Sequence, residues 1–122
     1  DYQDLQDELI DRFGEYPDQV AYLIEIGLVR AYLDAAFAEL VERKNDTIIV
    51  RFEKVSLKFF LTQDYFEAIS KTNLKARISD NQGKVEIIFD VRNKKDYEIL
   101  EELKIFGQTF MEIKKRKEKK ET

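Results

Sequence analysis

The chain has 122 residues, which is enough for one domain with a hydrophobic core but not for two. Hydrophobic residues make up 43% of it and charged residues 38%, a mixture that argues against a disordered chain and against a membrane protein. Cysteine and histidine are absent, which excludes disulfides, thiolate nucleophiles, imidazole bases and Cys/His zinc sites. Because the first residue is Asp1 and not Met, we expect the chain to be a piece of a longer polypeptide.

The charges are unevenly distributed along the chain. Lys and Arg total 21 and Asp and Glu total 25, which gives a net charge of −4. Residues 1–18 carry seven acids against one base, whereas residues 114–120 carry six bases around one acid. An acidic body argues against a surface that follows nucleic-acid phosphates. We expect residues 114–122 to form a frayed basic tail after a helix, with nucleic-acid binding by that tail as the alternative.

The N-terminal segment is predicted to form two helices. Residues 2–13 have helical periodicity, with one apolar side and an opposite side where the charges gather, namely Asp4, Asp7, Glu8 and Asp11, with Arg12 beside them. A second helix is predicted from Pro17 to about Ala35. Its apolar residues point in nearly every direction, so we expect it at the centre of the domain. Gly27 costs about 1 kcal/mol within this helix, which is tolerable if another backbone crosses closely there.

The middle of the chain is predicted to form strands, because the hydrophobic period changes to two. Alternating residues at 37–43 and 47–53, and again at 74–78 and 85–91, predict two hairpins around turn-forming clusters.

A further alternating segment raises the predicted strand number from four to five: Val55, Leu57, Phe59 and Leu61. Thr62 is predicted to cap a short helix over 63–71 that makes its contacts through Tyr65, Phe66 and Ile69.

The C-terminal part is predicted to form a long helix that Asn93 caps and Asp96 supports. One broad apolar stripe follows along it: Ile99, Leu100, Leu103, Phe106, Phe110, Met111 and Ile113. The predicted fold class is therefore α+β, with a mostly antiparallel sheet of four to five strands packed with two N-terminal helices, a short middle helix and a long C-terminal helix. We expect residues 1–122 to form a single domain.

The acidic face of the first predicted helix is the one cluster that suggests chemistry. Asp4, Asp7, Glu8 and Asp11 are spaced by three and four, so a divalent cation site can be imagined there. Such sites usually gather ligands from separate elements, and an acidic stripe on one helix more often faces water or a cationic partner. Three interpretations therefore stay open: a solvated face, a protein docking surface and a metal-dependent hydrolase.

The first thirty residues resemble a known family. Residues 4–14 have the sequence D-L-Q-D-E-L-I-D-R-F-G, followed by Tyr16-Pro17-Asp18, and residues 20–30 continue as V-A-Y-L-I-E-I-G-L-V-R. This resembles the C-terminal domain of the bacterial transcription-repair coupling factor (Mfd), in which an E-L-I-D-R-F-G stretch and a P-[DE] helix start recur. Tyr22 stands where Asn is common in that family. The likeness is specific over residues 4–30 and extends afterwards to the order of elements.

The resemblance implies a regulatory domain without a catalytic site or cofactor of its own. Its parent would be a cytoplasmic bacterial DNA translocase that uses ATP and magnesium, displaces stalled RNA polymerase from double-stranded DNA and recruits nucleotide excision repair through UvrA. The domain would dock on the N-terminal UvrB-like module of the same polypeptide, mask UvrA binding there and restrain the motor. No membrane is implied.

The family motif places acids at Glu8 and Asp11, and the resemblance makes these residues candidates for the contact between modules. Together with Asp4, Asp7 and Arg12 they form the candidate partner-binding set. Arg12 has an equal alternative, a structural ion pair with Asp7, Glu8 or Glu15. The alternative function of the whole domain is an accessory module that binds nucleic acid through the basic C-terminal tail.

Overall fold

The computed structural model describes residues 18–121 of the chain and the side chains of residues 21–119. Within this range the elements are, in chain order, helix α1 (Asp18–Ala35), strands β1 (Ala38–Lys44) and β2 (Thr47–Phe52), a 3-10 turn (Lys54–Lys58), helix α2 (Thr62–Ser70), strands β3 (Lys75–Asn81) and β4 (Lys84–Asp90), and helix α3 (Asp96–Glu121). The predicted α+β class is confirmed. The predicted helix over residues 2–13 lies outside the described residues.

The strands form one four-stranded antiparallel sheet in the order β1-β2-β4-β3. Both predicted hairpins are present, and the second one turns through Gln82 and Gly83, which have φ angles of 54° and 85°. Two consecutive residues with positive φ form the tight turn that matches the twist of a hairpin. An irregularity between Ala38 and Leu40 shifts the register at the start of β1. The central strands therefore come from different hairpins, which ties the two halves of the sheet together.

The fifth strand that the alternation of Val55, Leu57, Phe59 and Leu61 suggested does not form. Residues 54–58 form a 3-10 turn, because the carbonyl oxygen of Ser56 accepts hydrogen bonds from the backbone N–H groups of Phe59 and Phe60. These local bonds replace the ladder that an alternating strand would need. The alternation of Leu57, Phe59 and Leu61 consequently does not serve the core, and all three side chains are exposed.

The short helix predicted over residues 63–71 is present as α2, but it begins at Thr62, which is therefore its first residue and not its cap. The backbone N–H of Leu61 donates a 2.8 Å hydrogen bond to the carboxylate of Asp64, so the cap comes from a side chain three positions into the helix. Tyr65 is buried and Ile69 packs at the margin of the core. Phe66, the third predicted contact, is exposed instead, because it lies on the outer face of this short helix.

The core lies between one face of the sheet and the helices, and an aromatic cluster forms its centre. Phe110 of α3 contacts the rings of four other residues, with centroid distances of 5.0–5.7 Å: Phe52, Phe60, Tyr65 and Phe106. Most of these pairs are edge-to-face, the geometry that aromatic quadrupoles favour. The predicted apolar stripe of α3 is confirmed, since five of its residues are buried: Ile99, Leu103, Phe106, Phe110 and Ile113. The helix begins at Asp96, however, and Asn93 is a turn residue with a φ of 64°.

Helix α1 has its predicted bounds but not its predicted central position. Leu28, Val29 and Leu33 are buried, whereas Tyr22 and Leu23 are exposed, so within the described side chains the helix buries one side only. A Cβ atom at Gly27 would meet no described atom within 4 Å. The close approach of two helices occurs at Gly107 of α3, where a Cβ atom would lie 2.6 Å from the Cβ of Tyr32.

The basic C-terminal segment continues helix α3 as far as Glu121. We expected residues 114–122 to fray, yet Arg116 and Lys117 bond to side chains of α2 and Lys114 lies over two aromatic rings. These contacts give the last helical turns partners within the domain. Part of the positive charge of this segment is therefore already paired with acidic residues of the same domain.

Candidate interaction surfaces

The predicted site residues all precede the described part of the chain. The candidate partner-binding set lies outside residues 18–121, so its role stays a prediction; its members are Asp4, Asp7, Glu8, Asp11 and Arg12. Over the range that is described, no group of three or more acidic residues is placed to hold a metal ion. None of the described helices has the length and hydrophobicity that are needed to span a lipid bilayer.

The helix that directly follows the acidic segment is fixed to the rest of the domain by an ion pair. The ammonium of Lys104 on α3 donates a 2.9 Å hydrogen bond to the carboxylate of Glu25 on α1 and lies 3.6 Å from Glu101. Partial burial by itself would lower the pKa of Lys104, but the two carboxylates outweigh it and raise that pKa. Lys104 therefore stays charged at neutral pH. Together with the Gly107–Tyr32 contact, it holds α1 in one position on α3.

A groove of about 420 Å³ runs between α1 and the edge strand β1. Its floor is apolar and its rim carries Arg30, Asp34 and Glu39. Glu39 also accepts a 2.8 Å hydrogen bond from Lys84. An edge strand offers unpaired backbone groups, so this groove is a surface where another segment could add to the domain.

The face of the sheet that points away from α3 carries mixed charges. Glu86 of β4 accepts a 2.8 Å hydrogen bond from Arg51 of β2 and a 3.1 Å bond from Asn81 of β3. These bonds, the one from Asn81 first, hold the pKa of Glu86 below its ordinary value. A shallow cleft of about 310 Å³ opens on the sheet between Asp46 and Arg77. The paired charges make this face typical of an antiparallel sheet with one side in water.

The basic end of α3 is held by the acidic residues of α2. Arg116 donates two hydrogen bonds to Glu67, of 3.3 Å and 2.9 Å, which lowers the pKa of Glu67. Lys117 bonds to the carboxylate of Asp64 and donates a 2.9 Å bond to the carbonyl oxygen of Phe59. These two bases therefore already have anionic partners, which a phosphate would have to displace.

The 3-10 turn and the start of α2 expose a run of apolar side chains that the sequence interpretation assigned to a strand. We define the 57–61 patch as Leu57, Phe59 and Leu61, which are 48%, 43% and 58% exposed. Phe59 stacks on Phe37 with the ring centroids 4.9 Å apart. The ammonium of Lys114 lies 5.4 Å and 5.9 Å from the two ring centroids. The pattern that could have revealed this patch was its alternation without a partner strand.

The buried hydroxyl groups do not form a catalytic pair. Ser56 and Tyr65 share a 2.7 Å hydrogen bond inside the core. Burial, against the opposing effect of that bond, raises the pKa of Tyr65, so its hydroxyl stays protonated and does not act as a base. Among the described side chains, every buried nitrogen and oxygen atom has a hydrogen-bond partner. The Ser56–Tyr65 hydrogen bond therefore has a structural role, which is to connect the 3-10 turn to α2.

Comparison with known proteins places the chain in a family. The family model of the TRCF domain matches residues 1–59. The transcription-repair-coupling factor of Bacillus subtilis (strain 168) is 40% identical over 45 residues, which cover 37% of this chain and 4% of that protein. The chain thus matches only a small fraction of the length of this relative.

A solved structure extends the similarity to almost the whole chain. A crystal structure of the C-terminal domain of transcription-repair coupling factor superposes with a TM-score of 0.85 at 63% identity, covering 95% of this chain and 72% of that one. Both the sequence and the arrangement of elements are shared at this level, so the likeness extends beyond the fold. The chain belongs to the family of C-terminal domains of transcription-repair coupling factors.

Proposed function

We propose that this domain is a non-catalytic regulatory domain of a transcription-repair coupling factor. It docks on the N-terminal UvrB-like module of the same polypeptide, masks the surface that UvrA binds and restrains the motor. The observation that carries the proposal is the 63% identity over 95% of the chain to the C-terminal domain of such a factor. The absence of Cys and His from the sequence agrees with a role in binding.

The proposed contact is made by Glu8 and Asp11, with Asp4, Asp7 and Arg12 beside them. Carboxylates pair with guanidinium groups in a directed, bidentate manner, so the matching surface on the UvrB-like module would carry exposed Arg residues. Each exposed pair contributes only about 0–1 kcal/mol. Such a contact still forms, because a tether within one polypeptide supplies an effective concentration of about millimolar.

A weak contact of this kind is suited to opening. Interfaces between domains of one chain commonly bury about 600–1,500 Å² and permit relative motion. Changing a module from 99:1 closed to 99:1 open requires about 5.5 kcal/mol of differential binding. RNA polymerase and double-stranded DNA bound together by the parent can supply that energy.

The described fold supports this role through the helix that follows the acidic segment in the sequence. That helix, α1, is held on α3 by the Glu25–Lys104 ion pair. For the parent we propose a cytoplasmic translocase that hydrolyses ATP with magnesium, which is what the family resemblance of the sequence implies.

The decisive experiment neutralises the two central acids in the full-length protein. The variant Glu8→Gln with Asp11→Asn is expected to raise basal ATP hydrolysis and to increase binding of UvrA, with an unchanged melting temperature. The matched control is Glu42→Gln with Asp80→Asn, which removes the same charges from exposed positions of β1 and β3. Unchanged hydrolysis and unchanged UvrA binding in the first variant would contradict the proposal, as would equal effects in both variants.

A second measurement tests the contact directly. The 122-residue chain is titrated with the separate UvrB-like module at about 0.1 M and about 1 M salt, where the range of electrostatic interaction differs about threefold. We expect weaker binding at high salt and loss of that dependence in the Glu8→Gln, Asp11→Asn variant. Equal affinity at both salt concentrations would argue that acidic residues do not make the contact.

The nucleic-acid alternative gains no support from the described contacts of α3. Arg116 and Lys117 bond to Glu67 and Asp64, which reduces the charge that α3 can offer to phosphates. A salt-dependent shift of labelled DNA by the chain, abolished by truncation after Ile113, would favour that alternative over the regulatory role.

A further inference from the structure

The 57–61 patch presents hydrophobic side chains that the described part of the domain leaves exposed. Leu57, Phe59 and Leu61 alternate as in a strand, yet the 3-10 turn and the cap of α2 direct all three to the surface. Isolated exposed hydrophobic residues are normal on proteins, whereas three of them grouped within five residues are typical of a binding surface. The patch is thus a candidate for a second contact, separate from the acidic segment.

The backbone that carries the patch is held in a fixed shape. Phe37 has a φ of 69°, a left-handed conformation that is unfavourable for a bulky residue. This conformation places its ring against that of Phe59. On the other side of the turn, Lys117 bonds to the carbonyl oxygen of Phe59 and to Asp64, which in turn holds the N–H of Leu61. A partner that binds here therefore loses little free energy in ordering the patch.

Two lysines border these apolar side chains. Lys114 lies over the rings of Phe37 and Phe59, and Lys58 is exposed within the 3-10 turn. The six bases of residues 114–120 are the one strongly cationic segment of a chain whose net charge is −4. Lys114, the first base of this segment, lies against the ring of Phe59 in the patch.

We infer that the 57–61 patch binds an acidic segment of a partner protein that also carries apolar side chains. The apolar groups of the partner pack on Leu57, Phe59 and Leu61, and its carboxylates lie near Lys58 and Lys114. This surface is composed of residues 57–61 and α3, so the inference is independent of Glu8 and Asp11. It holds whether or not the acidic segment docks on a UvrB-like module.

Two other anionic partners fit the contacts less well. A nucleic acid binds to a row of available Lys and Arg side chains. Arg116 and Lys117, however, are already bonded to Glu67 and Asp64 of the same domain. An anionic lipid surface would attract the same lysines, but it would repel a body with an excess of carboxylates over a much larger area. A protein segment meets only the patch and its immediate cations.

The test measures binding of a defined acidic peptide to the 122-residue chain. The probe is a fluorescein-labelled peptide in which Asp and Glu alternate with Leu and Phe, followed by fluorescence anisotropy. One companion peptide replaces Leu and Phe by Ser, and another replaces Asp and Glu by Asn and Gln. We expect the probe to bind at least about tenfold more tightly than either companion, because both kinds of contact are needed.

Variants locate the binding. The double variant Leu57→Ser with Leu61→Ser is expected to lower the affinity for the probe at least about tenfold. Lys114→Gln is expected to lower that affinity less and to reduce the salt dependence of binding. Leu23→Ser is the matched control, since Leu23 is 65% exposed on α1 and outside the patch, and it should bind as the original chain does. Melting curves identify any variant that fails to fold, in which case Leu61→Ser alone serves as the test.

Several outcomes would overturn the inference. They are no binding of the probe, equal binding by the double variant and the original chain, and equal binding of the Ser-substituted peptide. Tighter binding to a single-stranded oligonucleotide or to phosphatidylserine vesicles than to the probe would likewise replace the protein partner with a nucleic acid or a lipid surface.

Discussion

Gly107 of α3 approaches Tyr32 of α1 so closely that a Cβ atom on the glycine would lie 2.6 Å from the Cβ of the tyrosine. Real Cβ atoms do not approach one another at this distance, so the two helices can pack here only because residue 107 has no side chain. Among the described helices, α1 and α3 share the most extensive contact. A glycine in the middle of a helix thus has a packing function here that outweighs its unfavourable helix propensity.

Gly107→Ala is therefore expected to lower the free energy of unfolding by about 1–2 kcal/mol, because overpacking outweighs the gain in helix propensity. The control is Gly27→Ala, whose new methyl group would meet no described atom within 4 Å. That variant should raise the free energy of unfolding by about 0.5–1 kcal/mol. Urea denaturation of both variants measures the difference. A stabilised Gly107→Ala protein would show that the helices are not packed this closely.

Phe110→Ala is expected to lower the free energy of unfolding by about 3–5 kcal/mol, since Phe110 contacts the central aromatic rings of the core. This loss is a large part of a typical domain stability of about 5–15 kcal/mol. The control is Phe66→Ala, which removes the same group from an exposed position on α2 and should change stability by less than about 0.5 kcal/mol. Thermal melting of both variants decides. Equal losses would argue against α3 as the centre of the core.

Glu86→Gln is expected to make the free energy of unfolding less dependent on pH in the acidic range. Because hydrogen bonds from Asn81 and Arg51 lower the pKa of Glu86 in the folded state, its contribution is present above the unfolded pKa near 4.5 and is lost as the pH falls through the lower folded pKa. The variant should be less stable than the original chain by about 1 kcal/mol at pH 7. That difference should disappear at pH values below the folded pKa. Urea denaturation across this pH range provides the measurement, and a constant difference at all pH values would contradict the assignment.

Lys117→Met is expected to destabilise the junction of α3 and α2 by about 1–3 kcal/mol, because it leaves the buried carboxylate of Asp64 without its cation. Hydrogen exchange should become faster at the amides of α2 and the 3-10 turn. Lys115→Met removes the same charge from an exposed position one residue away and should leave exchange unchanged. If the two variants exchange alike, the end of α3 is not fixed by Asp64.

The sequence predicts the elements whose burial pattern is periodic. The two hairpins and the buried stripe of α3 follow from alternation and from helical spacing, because one face of each element meets the core. The start of α1 was predicted from Pro17 instead. The short segment around Leu57 was misassigned for a physical reason. Alternation indicates which residues could share a face, but the hydrogen bonds to the carbonyl of Ser56 determine whether a strand forms at all.

The sequence predicted that the helices exist more reliably than it predicted how they pack and which residues cap them. Nothing in the local pattern distinguishes Gly27 from Gly107, because a close crossing depends on the partner helix. Likewise, Thr62 is a favoured cap by residue type, whereas Asp64 performs the capping through its side chain and is fixed by Lys117 from 53 residues away. The candidate contact of Glu8 and Asp11 came from a family resemblance, and the described residues contain neither, so it stays a prediction.

The arrangement of α3 has a consequence for the synthesis of the domain on the ribosome. The sheet and α1 are translated before residues 96–121, yet their inner apolar faces are covered by the buried stripe of that helix. A nascent chain that has reached only Asp90 therefore carries the aromatic side chains of β2 and β4 without their final cover. Chaperones that recognise exposed hydrophobic segments would meet this intermediate until the last helix has left the exit tunnel.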